Sequence, residues 1–516
     1  MFEALETGKF LSPDEYKARE LELRQKLLAA QFDQAERDYP VIILVAGLPG
    51  AGKGTLVHRL NEWMDPRRIE TSAIWMHSDE EEERPFFWRF WRKLPPKGKT
   101  GIFLGSWYTR PLHDATEGKL GMRDLQVQLE EINAFERMLY DDGALLIKLW
   151  LHVTRETQRH QLDEEAPRLQ QNPRVGAYAG HWWDMYPRAL TTAEQILLGS
   201  DTGHTPWHLI EADDRLYREI TGGEIILRAL QERANRSAKP ASAPANYRAS
   251  APGRDQPTVL AGVPADLTLD KDEYRIQLHR QQRHLQDLAW LAHRRRRSLV
   301  AVFEGWDAAG KGSAIRRVTA AIDPRLYQVV QYAAPTDEER AHHYLWRFWR
   351  KLERDGRATL FDRSWYGRVL VERVEQLTPM DAWRRAYHEI NQFEGQLVAH
   401  GCVLVKFWLH ITPEEQLRRF EDRQKKPHKQ YKITEDDWRN RQRWNDYEIA
   451  VEDMVAHTST GFAPWTLVAG NDKRYARIQI LRTLCNALNT AMGGEYPAPE
   501  PAAIMSDRFQ PTAPNS

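Results

Sequence analysis

Lys311 closes the segment Gly305-Trp306-Asp307-Ala308-Ala309-Gly310 and is followed by Gly312 and Ser313, a G-x-x-x-x-G-K spacing between an apolar run and a helical pattern. Glycines at this spacing let the backbone wrap until several N–H groups converge on one anion. The lysine and the N-terminus of the following helix add positive potential. Gly305, Gly310, Lys311, Gly312 and Ser313 therefore read as a phosphate-binding loop. The hydroxyl that ordinarily follows the lysine and touches Mg2+ is absent, because Gly312 stands there and Ser313 comes one place later. A metal ion must find other oxygens. Asp307, inside the loop, would repel phosphate unless it held a metal or handled a proton. Asp362 follows the β-rich run Ala358-Thr-Leu-Phe361, a strand end from which phosphate-loop enzymes present a metal-binding aspartate. These two carboxylates are expected to hold Mg2+ between a donor and an acceptor phosphate.

The same pattern occurs twice. Gly47-Leu-Pro-Gly-Ala-Gly52-Lys53-Gly54-Thr55 precedes the second loop by 258 residues, counted from Lys53 to Lys311. That offset also pairs Trp88–Leu94 with Trp346–Leu352, Ser106-Trp-Tyr108 with Ser364-Trp-Tyr366, and Pro206-Trp207 with Pro464-Trp465. The copies part company where chemistry is expected. Pro49 stands for Asp307, Leu104 for Asp362 and Gly105 for Arg363. Joint loss of both carboxylates marks the first copy as one that no longer runs the reaction.

A further contrast follows the fourth apolar run. Arg418, Arg419, Arg423, Lys425, Lys426, Lys429 and Lys432 fall within fifteen residues that hold only two acids. A charge density of this kind suits a long phosphate polymer, each cation meeting a separate oxyanion, and reads as a cationic lid over the phosphates. The matching window of the first copy keeps Arg168 and Arg174 and carries Asp163, Glu164 and Glu165.

Elements must hold these groups in place. In the second copy the β-rich runs are Leu299–Phe303, Tyr327–Gln331, Ala358–Phe361, Val403–Trp408 and Trp465–Val468, separated by helical patterns. Such alternation predicts a parallel sheet covered on both faces, and with the loop after the first core strand it predicts a P-loop kinase-like α/β/α sandwich, present in tandem. The Trp-rich segment around Trp346 and Trp349 survives in both copies, so packing explains it better than chemistry. The expected layout is a degenerate, non-catalytic domain over 1–236, an Ala/Pro/Ser-rich linker over 237–264, a catalytic domain over 265–494 and a mobile tail over 495–516.

The balance of 73 basic and 73 acidic residues argues against a general nucleic-acid binder. No apolar run approaches the ~20 residues that cross a bilayer, and the first residues lack the basic and apolar regions of a signal peptide. The expectation is a cytoplasmic protein with no membrane partner. The two cysteines, Cys402 and Cys485, are expected to be buried free thiols. Histidines show no zinc-type spacing.

The loop Gly305-x-Asp307-x-x-Gly310-Lys311-Gly312, the run Asp362-Arg363-Ser364-Trp365-Tyr366-Gly367-Arg368 through Val374, and the lid with Pro427 and Lys429 together resemble the polyphosphate kinase 2 family. The resemblance spans the chain apart from linker and tail. The fused layout with a degenerate first half resembles the subgroup that moves the terminal phosphoryl of inorganic polyphosphate to AMP, giving ADP. It implies that Asp307 and Asp362 are essential, with Lys311, Arg363 and Arg368 as phosphate-binding companions. It also implies that the first domain acts as the dimer partner within one chain, with further homo-oligomerisation left open. The first loop looks closer to that of an adenylate kinase. From the residues alone a nucleoside diphosphate acceptor, or an ATP-dependent nucleoside monophosphate kinase, remains an alternative.

Overall fold

The computed structural model describes residues 1–74, 77–170, 182–235, 258–427, 433–494 and 496. The expected linker and tail lie outside these residues except for 258–264 and Tyr496, and so do Lys429 and Lys432 of the lid. The chain forms two compact units. The first comprises Met1–His77, Phe87–Ala241 and Thr336–Trp346; the second comprises Ser78–Phe86, Ser242–Pro335 and Arg347–Ser516. Two short segments, Ser78–Phe86 and Thr336–Trp346, thus lie with the unit of the other repeat.

Each unit is built on a five-stranded sheet. The first has β1 (Val41–Gly47), β2 (Ile69–Ala73), β3 (Thr100–Leu104), β4 (Leu145–His152) and β5 (Trp207–Glu211), in the order β2-β3-β1-β4-β5. The second has β6 (Leu299–Gly305), β7 (Tyr327–Gln331), β8 (Ala358–Asp362), β9 (Val403–His410) and β10 (Trp465–Ala469), in the order β7-β8-β6-β9-β10. Every neighbouring pair is parallel. The central strands are buried along most of their length, as parallel strands covered by helices on both faces must be. From β6 the chain leads to β7 and β8 on one side and then to β9 and β10 on the other. That switch opens a crevice at the C-terminal edge of the sheet, beside the end of β6.

The shared Ser-Trp-Tyr motif is an anchor. Trp365 Nε1 and Tyr366 Oη donate to Glu394 Oε1 at 3.0 and 2.6 Å. Lys406 Nζ, on β9, donates to Glu394 Oε2 at 2.7 Å, to Tyr366 Oη at 2.9 Å and to Thr458 O at 2.7 Å. The Lys406–Glu394 pair is fully buried and saturated with partners, the condition under which buried charges are tolerated. The first unit repeats it with Lys148, Glu136, Trp107 and Tyr108. The anchor fixes the turn directly after β8, where the Asp362 position lies. Trp349 and Trp91 pack edge-on against Phe393 and Phe135, at 4.9 and 5.5 Å, so the Trp-rich segments serve the cores. Cys402 and Cys485 are free and buried, and burial pushes both thiols up to about 12. Among the described residues no helix is long and apolar enough to cross a membrane.

Candidate active site

In the second unit β6 ends at Glu304 and Gly305, and the chain then turns through Trp306–Gly310 into the helix Lys311–Thr319. Gly305 has φ +148, and a Cβ there would stand 2.5 Å from the Leu409 carbonyl on β9, so only glycine lets the strand and the loop approach. Ala308 holds a left-handed φ of +63 without being glycine. Lys311 Nζ folds back to donate to Gly305 O and, at 3.3 Å, to Trp306 O. Ser313 turns away from this space: its Oγ donates to Gly310 O at 3.0 Å and accepts from Arg477 Nη2 at 3.3 Å.

Gly305, Asp307, Lys311 and Arg363 line one cavity of about 90 Å3. Asp307 is largely buried; its Oδ2 accepts from Asn440 Nδ2 at 2.9 Å and its Oδ1 lies 3.6 Å from Arg363 Nη2. Asp362 ends β8 and points toward the start of the loop helix, with Oδ2 3.9 Å from where a Cβ of residue 312 would stand. Arg363 is in the left-handed region, φ +66, and its side chain is more than half exposed. Arg368 is not among the cavity-lining residues: it donates to Thr378 Oγ1 at 2.6 Å and pairs with Glu372 at 3.1 Å.

One acid in this cavity escaped the motif reading. Glu304 is buried beside the loop, and its Oε1 accepts from both Ser364 N and Ser364 Oγ at 2.8 Å. Burial pushes its carboxyl above the usual range, while the Lys311 and Arg363 charges pull the other way. The residue at the same place in the first copy is Ala46, so the offset that exposed the loss at Asp307 and Asp362 would also have exposed this one. Asn440, which holds Asp307, has Trp182 as its counterpart and was missed for the same reason.

The lid cations divide. Arg418 and Lys425 are exposed on the helix Pro413–Lys425, Arg423 is half-buried, and Lys426 pairs with Asp422 at 2.6 Å. Arg419 corrects the expectation of a polymer-binding side chain. It is 3% exposed, and all five of its N–H groups have partners. Nε donates to Glu415, Nη1 to Ala308 O and Ala309 O at 2.9 and 2.8 Å, and Nη2 to Gly470 O and Asn471 O at 2.7 and 2.9 Å. Arg419 braces the loop from behind. In the first unit position 161 is glutamine, and a guanidinium from another helix takes part of the same place: Arg218 Nη1 donates to Ala212 O, the counterpart of Gly470 O, at 2.8 Å, and Nη2 donates to Thr55 Oγ1 at 3.0 Å. Trp306 stacks on Trp444 at 3.7 Å and donates to His410 Nδ1 at 3.2 Å. Burial lowers His410 to about 4, which keeps the imidazole neutral and able to accept.

The first unit shows what has been lost. Ala46, Pro49, Leu104 and Gly105 face its loop. Gly105 has φ +78, and a Cβ on it would stand 2.3 Å from the Ile74 carbonyl.

Among the described residues no three Asp, Glu, His or Cys side chains form a closed metal cage. Two carboxylates that leave the remaining positions to water and phosphate oxygens fit Mg2+, which keeps waters and favours hard oxygen donors.

A parallel sheet with a phosphate loop after its central strand, Asp307 in that loop and Asp362 at the end of the neighbouring strand, defines a P-loop phosphotransferase architecture. The chain belongs to the polyphosphate kinase 2 family, whose model matches residues 10–238 and 268–494. It is 47% identical over 508 residues to a polyphosphate:AMP phosphotransferase of Pseudomonas aeruginosa, covering 95% of this chain and 99% of the relative. A polyphosphate:AMP phosphotransferase of Pseudomonas syringae is 44% identical, with the same coverages. A crystal structure described as a polyphosphate kinase 2 from Pseudomonas aeruginosa superposes with a TM-score of 0.85 at 46% identity, covering 96% of this chain and 100% of that one.

Proposed function

We propose that the second unit transfers the terminal phosphoryl group of inorganic polyphosphate to AMP, leaving a polymer one unit shorter and ADP. The observation that carries this reading is the contrast between the loops: Glu304, Asp307, Asp362 and Arg363 in one unit, Ala46, Pro49, Leu104 and Gly105 in the other. Donor and acceptor are supported by the names of the relatives that match the chain along its length.

The terminal phosphoryl rests on the loop N–H groups and the start of the helix Lys311–Thr319, with Lys311 as the adjacent cation. Asp307 and Asp362 would hold Mg2+, which when bound draws charge from the phosphoryl oxygens. Arg363, more than half exposed, is free to swing onto the equatorial oxygens. Arg368, one turn further along, adds positive potential from its place beside Glu372. No general base is needed, because the AMP phosphate already carries a nucleophilic oxygen. The residues therefore supply positioning and charge stabilisation, which is what phosphoryl transfer demands. Glu304 holds the Ser364 turn and, through it, the Asp362–Arg363 corner. Arg418, Arg423, Lys425 and Lys426, continued by Lys429 and Lys432, meet successive oxyanions of the polymer. Both substrates point to a cytoplasmic enzyme without nucleic-acid or membrane partners.

The deciding experiment measures ADP formation from AMP with polyphosphate as sole donor, Mg2+ present and ATP absent. Turnover is expected. ATP formed from ADP in a parallel tube, with none of the first reaction, would move the acceptor to nucleoside diphosphates. Silence in both would overturn the reading.

A further inference from the structure

The first unit contains a cavity larger than the one in the second, about 290 Å3 against about 90 Å3. It is lined by its own phosphate loop, whose Lys53 Nζ donates to Gly47 O and Leu48 O at 2.9 and 2.7 Å, much as Lys311 does in the second unit. The helix Lys53–Trp63 begins at the loop, as a phosphate site requires. Apart from the lysine, the charged residues that line the second cavity, Glu304, Asp307 and Arg363, are gone here, and the replacements are small or apolar. Trp182 has taken the place of Asn440, and Trp150 and Trp207 complete an aromatic wall. Trp150 is 3% exposed, and its buried indole N–H has no hydrogen-bond partner; the same holds for Trp408, its counterpart in the second cavity. A tryptophan with a buried, unpartnered indole N–H thus belongs to the lining of both cavities.

An apolar cleft open to solvent exposes hydrophobic surface, a feature that marks binding sites. A unit that served only as scaffold has no need of such a cleft beside a glycine loop and its lysine. The loop offers one anion site. Without Asp307 and Asp362 equivalents there is no metal, so a chain of phosphates would meet too little counter-charge. The remaining space is apolar, walled by tryptophan, and near the lower end of the ~300–1,000 Å3 typical of small-molecule sites. We infer that the first unit binds a nucleoside monophosphate without metal, its phosphate on the loop at Lys53 and its base among Trp150, Trp182 and Trp207. The inference does not depend on which substrates the second unit uses.

The test is equilibrium dialysis of AMP against the full-length Lys311→Ala chain in EDTA, which weakens the second loop and removes metal. About one AMP per chain should remain bound. Adding Lys53→Ala should weaken that binding at least tenfold. Adding Ala46→Phe instead, which fills the cavity from the strand without touching the lysine, should do the same; circular dichroism checks that both variants fold. No EDTA-resistant AMP, or binding that survives both changes, overturns the site. Inorganic phosphate binding as tightly as AMP would show a bare anion site and overturn the nucleoside part. If AMP is retained in EDTA while the wild type fails to make ADP, the proposed reaction falls and this site stands.

Discussion

Arg419 Nη1 donates to the carbonyl of Ala308 at 2.9 Å, so a side chain numbered among the lid cations holds the residue on which the phosphate loop turns. Ala308 sits at a positive φ that costs a residue with a Cβ, and the guanidinium helps to hold it there. Arg419→Ala strands three buried carbonyls and a partly buried one, and should lower stability by roughly 2–3 kcal/mol. Arg418→Ala, on the exposed face, should change stability by less than ~1 kcal/mol while raising KM for polyphosphate several-fold. Thermal melts beside polyphosphate titrations separate the two. If Arg419→Ala kept its melting temperature and changed only KM, the brace would be wrong.

Asp362→Asn keeps the size of the side chain and removes its charge. If the carboxylate holds Mg2+, kcat should fall by about two orders of magnitude or more, equivalent to ~2.7 kcal/mol of transition-state stabilisation. The circular dichroism spectrum should not change. A variant with more than half the wild-type rate would rule out the ligand role.

Glu304→Gln retains an oxygen that can accept from Ser364 N and Oγ. Burial raises the Glu304 pKa in the folded state, so the protonated form favours folding, and that contribution is lost as pH rises through the raised value. At pH 8 the glutamine variant should therefore melt at or above the wild-type temperature, with the difference narrowing as pH falls through the carboxylate range. Its kcat should drop more than its KM rises, because the Ser364 turn keeps its shape but Lys311 and Arg363 lose the field of an anion. A melt several degrees below wild type at pH 8 would show that the ionised carboxylate stabilises the fold.

Lys406→Met leaves Glu394 buried without its cation, and urea unfolding should report a loss of about 3–5 kcal/mol. Adding Glu394→Gln should recover part of it. A loss below 1 kcal/mol would mean that Trp365 and Tyr366 satisfy Glu394 unaided.

The central strands β6 and β9 are legible because both their faces are covered, which leaves unbroken apolar runs, and each continues two residues past the apolar stretch. The edge strand Tyr327–Gln331 matches its β-rich run to the residue although only one of its residues is buried. The loop was legible because its glycine spacing has few other uses. The cation cluster was misread at Arg419 because a run of charge along the sequence wraps around a helix, so neighbours 418 and 419 point to opposite environments. Glu304 and Asn440 were overlooked because neither belongs to a recognised spacing; only their replacement by Ala46 and Trp182 marks them.

The Ile74 carbonyl, 2.3 Å from where Gly105 would carry a side chain, has consequences for the history of the first unit. Restoring arginine at 105 would collide with backbone rather than with a movable side chain. Arg218, on another helix, also occupies the Ala212 carbonyl whose counterpart Gly470 O is held by Arg419 in the second unit, so an arginine at position 161 would find that acceptor taken. Giving the first unit the residues of the second would therefore take several coordinated changes at once, of backbone as well as side chains.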